Sequence, residues 1–271
     1  MRIAFLGGGN MAAALIGGLV AKGTDPRTIA VVEVSPAARE KLGARYPVHI
    51  STAPDALMQR SDVVVLAVKP QDAKAALASI NIHQQLVISI AAGLTLQTLS
   101  RWLGGHRKLV RVMPNTPALI GAGIAGLYAL PEVSPEEKKK AQTILSAVGE
   151  AVWVPEERLL DPVTAVSASG PAYVFWFIEQ LAATAEKLGI SAEVAKKLAL
   201  HTVLGAARLA ASSNETPATL RKNVTSKGGT TEAALNVFDE EKLAERFQRA
   251  IEAASKRATQ LGDELGKQEK D

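Results

Sequence analysis

The sequence has 271 residues, 47% of them apolar and 21% charged, the proportions of a globular chain with room for two packed domains. Its formal net charge is +4, with 31 basic residues interleaved among 27 acidic ones, so no basic stripe marks it as a nucleic-acid binder. Cysteine is absent, which excludes disulfides, thiolate metal sites and thiol nucleophiles and fits a reducing cytoplasm.

The first predicted strand, Arg2 to Gly7, runs straight into Gly7-Gly8-Gly9-Asn10-Met11-Ala12 and a helix from about Asn10 to Lys22. Ile3 to Ala21 is uncharged, but its glycines and Asn10 interrupt the apolar run as a strand-to-helix turn does, not as the core of an export signal. In a dinucleotide-binding turn the first glycine makes the bend, the second admits the pyrophosphate and the third position must be small. Gly7, Gly9 and Ala12 fill those places, and the helix would direct its free amides and positive dipole end at the phosphates. A second strand, Thr28 to Glu33, ends on an acid placed to bind the adenosine ribose. That acid favours NADH, whereas Ser35 and Arg39 just beyond could hold the extra phosphate of NADPH.

Helices begin with recognisable chemistry, a Ser35-Pro36 cap and a Ser134-Pro135-Glu136-Glu137 capping box. Further strands are predicted at Val48 to Ile50, Asp62 to Val68, Gln85 to Ala91 and Lys108 to Met113, with Ile124 to Leu130 and Ala151 to Val154 as extensions of the sheet. This alternation predicts a doubly wound, Rossmann-like parallel sheet covered by helices on both faces. Ligands of such a sheet bind at the carboxyl ends of the strands, which brings in Ala67-Val68-Lys69-Pro70 and Ala91-Ala92-Gly93 as cofactor contacts. Pro70 would fix the turn that holds Lys69 at the crevice mouth, and the small residues let a flat ring lie against backbone. Met113-Pro114-Asn115-Thr116-Pro117 ends the next strand on the same side as a shaped loop.

After Pro155 the strand pattern stops, and helices are predicted at Ala172 to Leu188, Ala192 to Ala211 and Glu240 to Leu265. The expected division is therefore residues 1–155, a dinucleotide-binding domain, and 156–271, an all-helical domain. Val194 to Ala211 is apolar around much of its circumference and should be buried on several sides, which makes a homodimer through this region an expectation. Pro162 to Ile178 is uncharged but too polar for a membrane span, and Gly266 to Asp271 reads as a frayed tail.

These residues, together with Ser169-Gly170-Pro171-Ala172-Tyr173 and the run Leu220, Val224 to Thr231, Ala234-Leu235 and Phe238-Asp239, resemble the pyrroline-5-carboxylate reductase family over nearly the whole chain. The resemblance implies hydride transfer from NADPH or NADH to a small cyclic imine, giving L-proline, in a cytoplasmic homodimer. A protonated imine is already electrophilic, so positioning and charge stabilisation would dominate over acid catalysis. His49, His83, His106 and His201 stand singly, in no triad or metal motif.

The substrate carboxylate needs donors, and Ser226 to Thr231 before the Glu232-Ala233-Ala234-Leu235 helix offers amides at a helix start. The resemblance places substrate contacts at Ser226, Gly228, Gly229, Thr230 and Thr231, with Thr231 and Lys69 as the catalytic candidates. Ser169 and Gly170 line the substrate pocket by the same likeness, Glu157 approaches the substrate amine and Asn223 reaches the cofactor. Lys227 replaces the usual proline, Ala53-Pro54 lies where many members carry an asparagine, and Glu33-Val34 replaces a common Asn-Arg pair, so preference for NADPH over NADH stays open. A related hydroxyacid or imine reductase, and a nicotinamide-binding regulator without catalysis, are the competing readings.

Overall fold

The computed structural model describes residues 1–267. From the glycine turn after β1 (Ile3–Leu6) the chain passes through α1 (Asn10–Ala21), β2 (Ile29–Val32), α2 (Pro36–Gly43), β3 (His49–Ser51), α3 (Ala56–Gln59), β4 (Val63–Leu66) and α4 (Ala73–Ala78). It continues through β5 (Leu86–Ser89), α5 (Leu96–Trp102), β6 (Leu109–Met113), β7 (Gly123–Ala129), α6 (Pro135–Leu145) and β8 (Gly149–Trp153). Among the described residues these strands form one eight-stranded sheet in the order β3-β2-β1-β4-β5-β6-β7-β8. The strand order reverses between β1 and β4, the switch point at which this class of sheet binds ligands.

Both faces of the sheet are covered, which is why the strands read as unbroken apolar runs. Phe5, Val31, Val65, Ile88, Val110 and Val112 pack on one side with Leu15, Ile16 and Leu19 of α1 and Ile144 and Leu145 of α6. Ala4, Leu6, Val64, Leu66, Val87 and Leu109 pack on the other with Leu77, Leu96 and Leu99. The predicted helix starts are present: the Ser35 hydroxyl accepts from Ala38 N, and Ser134 and Glu137 form a reciprocal capping box.

Two departures from the sequence reading concern the sheet and the domain boundary. The strands β1 to β6 are parallel, but β7 runs antiparallel to β6, and β8 parallel to β7. Only a short 3-10 turn, Thr116–Ile120, closed by Gly121 at φ +74°, joins β6 to β7, too little chain for the crossover a parallel neighbour requires. The chain divides into two compact units, one of Met1–Ser169 with the residues from Ala254 onward, the other Gly170–Ala253. The first unit extends past Pro155 because α7 (Leu160–Val163) packs on β7. Gly126 leaves the room for it, since a Cβ there would lie 2.8 Å from Val163 Cγ1. A π-helical turn, Thr164–Ala168, follows, with Ser169 N bonded to Thr164 O.

The second unit starts with α8 (Gly170–Lys187) packed on α9 (Ala192–Ser212), the turn between them closed by Gly189 at φ +94° and an Ile190 N to Ala185 O bond. α10 (Pro217–Asn223), α11 (Thr230–Glu240) and α12 (Leu243–Lys267) follow. The helix expected from Glu240 begins at Leu243, because Lys242, at φ +53°, separates it from α11 and donates its amide to Asp239 O. Gly266 and Lys267 are helical instead of frayed, and 268–271 lie outside the described residues. The expected burial of Val194 to Ala211 does not hold within one chain. Ala195 and Ala199 are buried, but Leu198 is 50% and Leu209 55% exposed. No helix among the described residues is long and apolar enough to cross a membrane.

Candidate active site

The glycine turn is shaped by three different requirements. Gly7 sits at φ +98°, and a Cβ there would come within 2.7 Å of Ala67 O, a backbone atom of the β4 end. Gly8 donates its amide to Glu33 Oε2 at 2.7 Å, and Glu33 Oε1 accepts Ser35 N at 2.7 Å, so this carboxylate ties the end of β2 to the turn. Gly9 caps α1 in an extended conformation, and a Cβ there would project into open space. The first bond of α1 is Ala13 N to Gly9 O, which leaves the amides of Asn10, Met11 and Ala12 without helical partners. Buried Ala12 packs in the core beneath them. An open glycine over three unpaired amides at a helix N-terminus fits the pyrophosphate of a dinucleotide.

The residues expected to flank the adenosine are already engaged by protein groups. The Ser35 hydroxyl serves as the α2 cap, and Arg39 donates to the carbonyls of Glu33 and Val34 at 3.0 and 2.8 Å. Nearby, Asp55 caps α3 and meets His49 Nε2 at 2.5 Å. Burial would raise the Asp55 carboxyl, but the hydrogen bond and charge of His49, with the Met58 and Leu57 amides, hold it below the usual range.

At the carboxyl ends of β4 and β5, Ala67 and Val68 are half-buried and Lys69 is exposed, its backbone extended ahead of Pro70 at the start of a 3-10 turn. Ala91 is buried, Ala92 exposed, and Gly93 turns back at φ +77°. Buried Asn115 donates to Ser167 O at 3.2 Å and accepts from Ile124 N at 2.9 Å, so it braces the loop after β6. In the second unit, Gly228 at φ +72° and Gly229 lead into α11, whose first bond is Ala233 N to Gly229 O. The amides of Thr230, Thr231 and Glu232 precede that bond. No side chain caps the helix, so neither threonine hydroxyl is spent there. The Gly228 amide is held by Glu232 Oε2 at 2.6 Å, and Asn223 donates to Glu215 at 3.0 Å.

Residues 157–261 match the family model described as pyrroline-5-carboxylate reductase dimerisation, and residues 2–93 match that described as NADP oxidoreductase coenzyme F420-dependent. The chain is 46% identical to the pyrroline-5-carboxylate reductase of Pseudomonas aeruginosa, over 98% of both sequences. It belongs to the pyrroline-5-carboxylate reductase family. The reductase is similarly 40% identical to the protein of that name from Pasteurella multocida, over 96% of this chain and 97% of the relative. Its fold matches a solved pyrroline-5-carboxylate reductase from Coxiella burnetii with a TM-score of 0.88 and 41% identity, covering 96% of this chain and 98% of that one. A Plasmodium falciparum pyrroline carboxylate reductase, solved with NADP bound, matches with a TM-score of 0.84 and 29% identity, covering 97% and 98%.

The carboxylate of Glu157, expected to approach the substrate amine, is engaged by protein groups. It accepts Leu96 N at 2.7 Å and meets Arg111 at 3.2 Å, while Arg111 also reaches Asp161 at 3.5 Å. The α7 segment packs on β6 and β7, so the carboxyl points at the sheet and at α5. Arg111 and Glu215 are the functional-site neighbours missed in the sequence. Arg111 carried a readable signal: a cation inside the apolar run Leu109-Val110-Arg111-Val112 requires a buried anion, and Glu157 and Asp161 are spaced four apart, one helical turn.

Proposed function

We propose that this chain reduces 1-pyrroline-5-carboxylate to L-proline, the last step of proline biosynthesis, using a dinucleotide cradle at Gly7 to Ala12 and a carboxylate-binding loop at Ser226 to Thr231. The reading is carried by the full-length relationship to the Pseudomonas aeruginosa reductase, which spans both features. A bound NADPH or NADH supplies the hydride. The chain's own residues bind and orient. Gly7, Gly8, Gly9, Asn10, Met11 and Ala12 hold the phosphates. Glu33 and Ser35 flank the adenosine ribose, and Ala67, Val68, Lys69, Pro70, Ala91, Ala92 and Gly93 supply the surface for the nicotinamide end. Asn223, oriented by Glu215, is a further cofactor donor. Glu33 is the group that separates the two cofactors, because a carboxylate there repels the extra phosphate of NADPH.

The substrate carboxylate takes the free amides of Thr230 and Thr231, with Ser226, Gly228, Gly229, Ser169 and Gly170 as the remaining contacts. Use of the Gly228 amide requires that Glu232 give way, since its carboxylate holds that amide. The ring nitrogen is basic enough to be protonated near neutral pH, so the chain must keep that proton in place while the neighbouring carbon accepts hydride. Thr231, its hydroxyl not spent on capping, is assigned to the nitrogen. Thr231→Ala is expected to lower kcat about tenfold to a hundredfold with cofactor affinity nearly unchanged, and Thr231→Ser to keep most of the activity. Equal activity of Thr231→Ala and the parent would remove this role. The activity itself is tested by adding the imine with either cofactor: L-proline forms, and absence of cofactor oxidation with both refutes the reading.

We also infer a cytoplasmic homodimer. Phe175, Trp176, Leu198 and Leu209 are large apolar side chains exposed on α8 and α9, and a second copy is the cover that the dimerisation match suggests. Sedimentation should give a dimer, and a stable monomer at micromolar concentration would contradict it.

A further inference from the structure

We propose that the closing turns of α12, acting with the buried Arg111 cluster, are positioning elements that lock the Ala91–Gly93 loop and thereby set the hydride-transfer geometry. This rests on the reading that the loop carries the nicotinamide end. The loop has one exposed residue, Ala92, between buried Ala91 and Leu94. It is held from two directions by residues far along the chain.

The first hold is electrostatic. Glu157 accepts the amide of Leu96, the first residue of α5, and its charge is balanced by Arg111, which is also paired with Asp161. Thr259 of α12 donates to the second oxygen of Asp161 at 2.9 Å, so the cluster is shared with the C-terminal helix. The second hold is steric. Gly93 stands against α12, where a Cβ on it would lie 2.8 Å from Leu265 Cδ1 and 3.8 Å from Gly262 N. A Cβ on Gly262 would reach Gly93 O at 3.4 Å, the limit of ordinary contact. The position admits a methyl group but no longer side chain over the loop backbone, so Gly262 serves as a small residue at the contact. It lets the helix backbone lie directly on the loop. Leu265 then packs among the residues under α4 and α5, beside Leu94 and Leu96.

Hydride transfer is sensitive to placement: a displacement near 1 Å costs on the order of a hundredfold in rate. The proposed phosphate cradle after β1 lies two strands away from this loop in the sheet. Loosening α12 should therefore change turnover and spare binding.

The test uses the full-length protein with Gly262→Leu, whose longer side chain cannot fit over Gly93 O, and Gly262→Ala as the conservative control. With cofactor absent, amide hydrogen exchange across residues 91–99 should quicken about tenfold or more in Gly262→Leu and stay near the parent rate in Gly262→Ala. Turnover of the imine should fall about thirtyfold in Gly262→Leu, with an altered kinetic isotope effect from cofactor deuterated at nicotinamide C4 and a dissociation constant for NADPH within about threefold of the parent. Leu265→Ala, which removes contact without adding bulk, should show the same pattern more weakly. Unchanged exchange in folded Gly262→Leu, or a loss of turnover matched by an equal loss of NADPH binding, overturns the proposal. Failure of the parent protein to reduce the imine would instead refute the activity, and the exchange measurement would still decide whether α12 locks the loop.

Discussion

Gly7→Ala is expected to destabilise the chain by about 3 kcal/mol and abolish measurable cofactor binding, while Gly9→Ala leaves stability within about 0.5 kcal/mol and weakens binding about tenfold or more. The difference lies in what each new methyl group meets. At Gly7 the backbone is left-handed, φ +98°, and the methyl would lie 2.7 Å from the oxygen and 2.9 Å from the carbon of the Ala67 carbonyl. Neither side can yield: Gly7 N is bonded to Val32 O and Ala67 N to Leu6 O, so the turn is pinned to β2 and β4 through the strand between them. At Gly9, φ is −66°, open to any residue, and the methyl meets nothing within 4 Å. It would occupy only the space reserved for the pyrophosphate. Thermal unfolding and NADP titration of the two variants separate a folding requirement from a binding requirement. Equal effects of both on stability would contradict the assignment.

Arg111→Met is expected to lower stability by about 3 kcal/mol, toward the lower end of the 3–5 kcal/mol range for breaking a buried ion pair. Arg111 has only 9% of its side chain exposed, and its removal strands two carboxylates at once. Glu157 and Asp161 keep 24% and 16% of their side chains in contact with water, which offsets part of the loss. Leu96 N and the Thr259 hydroxyl remain as partners and offset more. Arg111→Lys preserves a charge but not the planar fork that addresses both acids, so about half of the destabilisation should persist. Denaturant unfolding at neutral pH measures both. A loss below about 1 kcal/mol for Arg111→Met would show that the cluster is solvated in practice.

The β-branched runs, the glycine turn and the serine caps were legible in the sequence because each is a local signal: strand burial, turn conformation and an unpaired amide are settled within a few residues. The ends of β1, β2, β4 and β5 were over-extended by one or two residues, as at Asp62 to Val68, where Ala67 and Val68 have already left the ladder, while β7 and β8 begin one and two residues earlier than expected. What stayed hidden depends on residues far apart. The antiparallel turn of β7 follows from a short connection, not from the composition of Ile124 to Leu130. The first unit runs to Ser169 because Gly126 admits Val163, and it regains the chain at Ala254, neither of which a change of pattern at Pro155 announces. Lys242, at φ +53°, delays the start of α12 from the expected Glu240 to Leu243. Glu157 was singled out by likeness, yet its carboxylate is oriented by Arg111 and Leu96 N, partners 46 and 61 residues away. For the substrate loop, Ser226 to Thr231 was readable as a helix start, while the engagement of Gly228 by Glu232 belongs to geometry alone.

The central claim is that hydride passes from a nicotinamide to the imine carbon of 1-pyrroline-5-carboxylate on this chain. The direct measurement is to supply NADPH, and separately NADH, carrying deuterium on the transferred position of nicotinamide C4, and to examine the proline formed by mass spectrometry and NMR. One deuterium at Cδ of L-proline, the ring carbon beside nitrogen that does not carry the carboxylate, is the predicted result. Consumption of the labelled cofactor without deuterium at that carbon, or no proline with either cofactor, would contradict it.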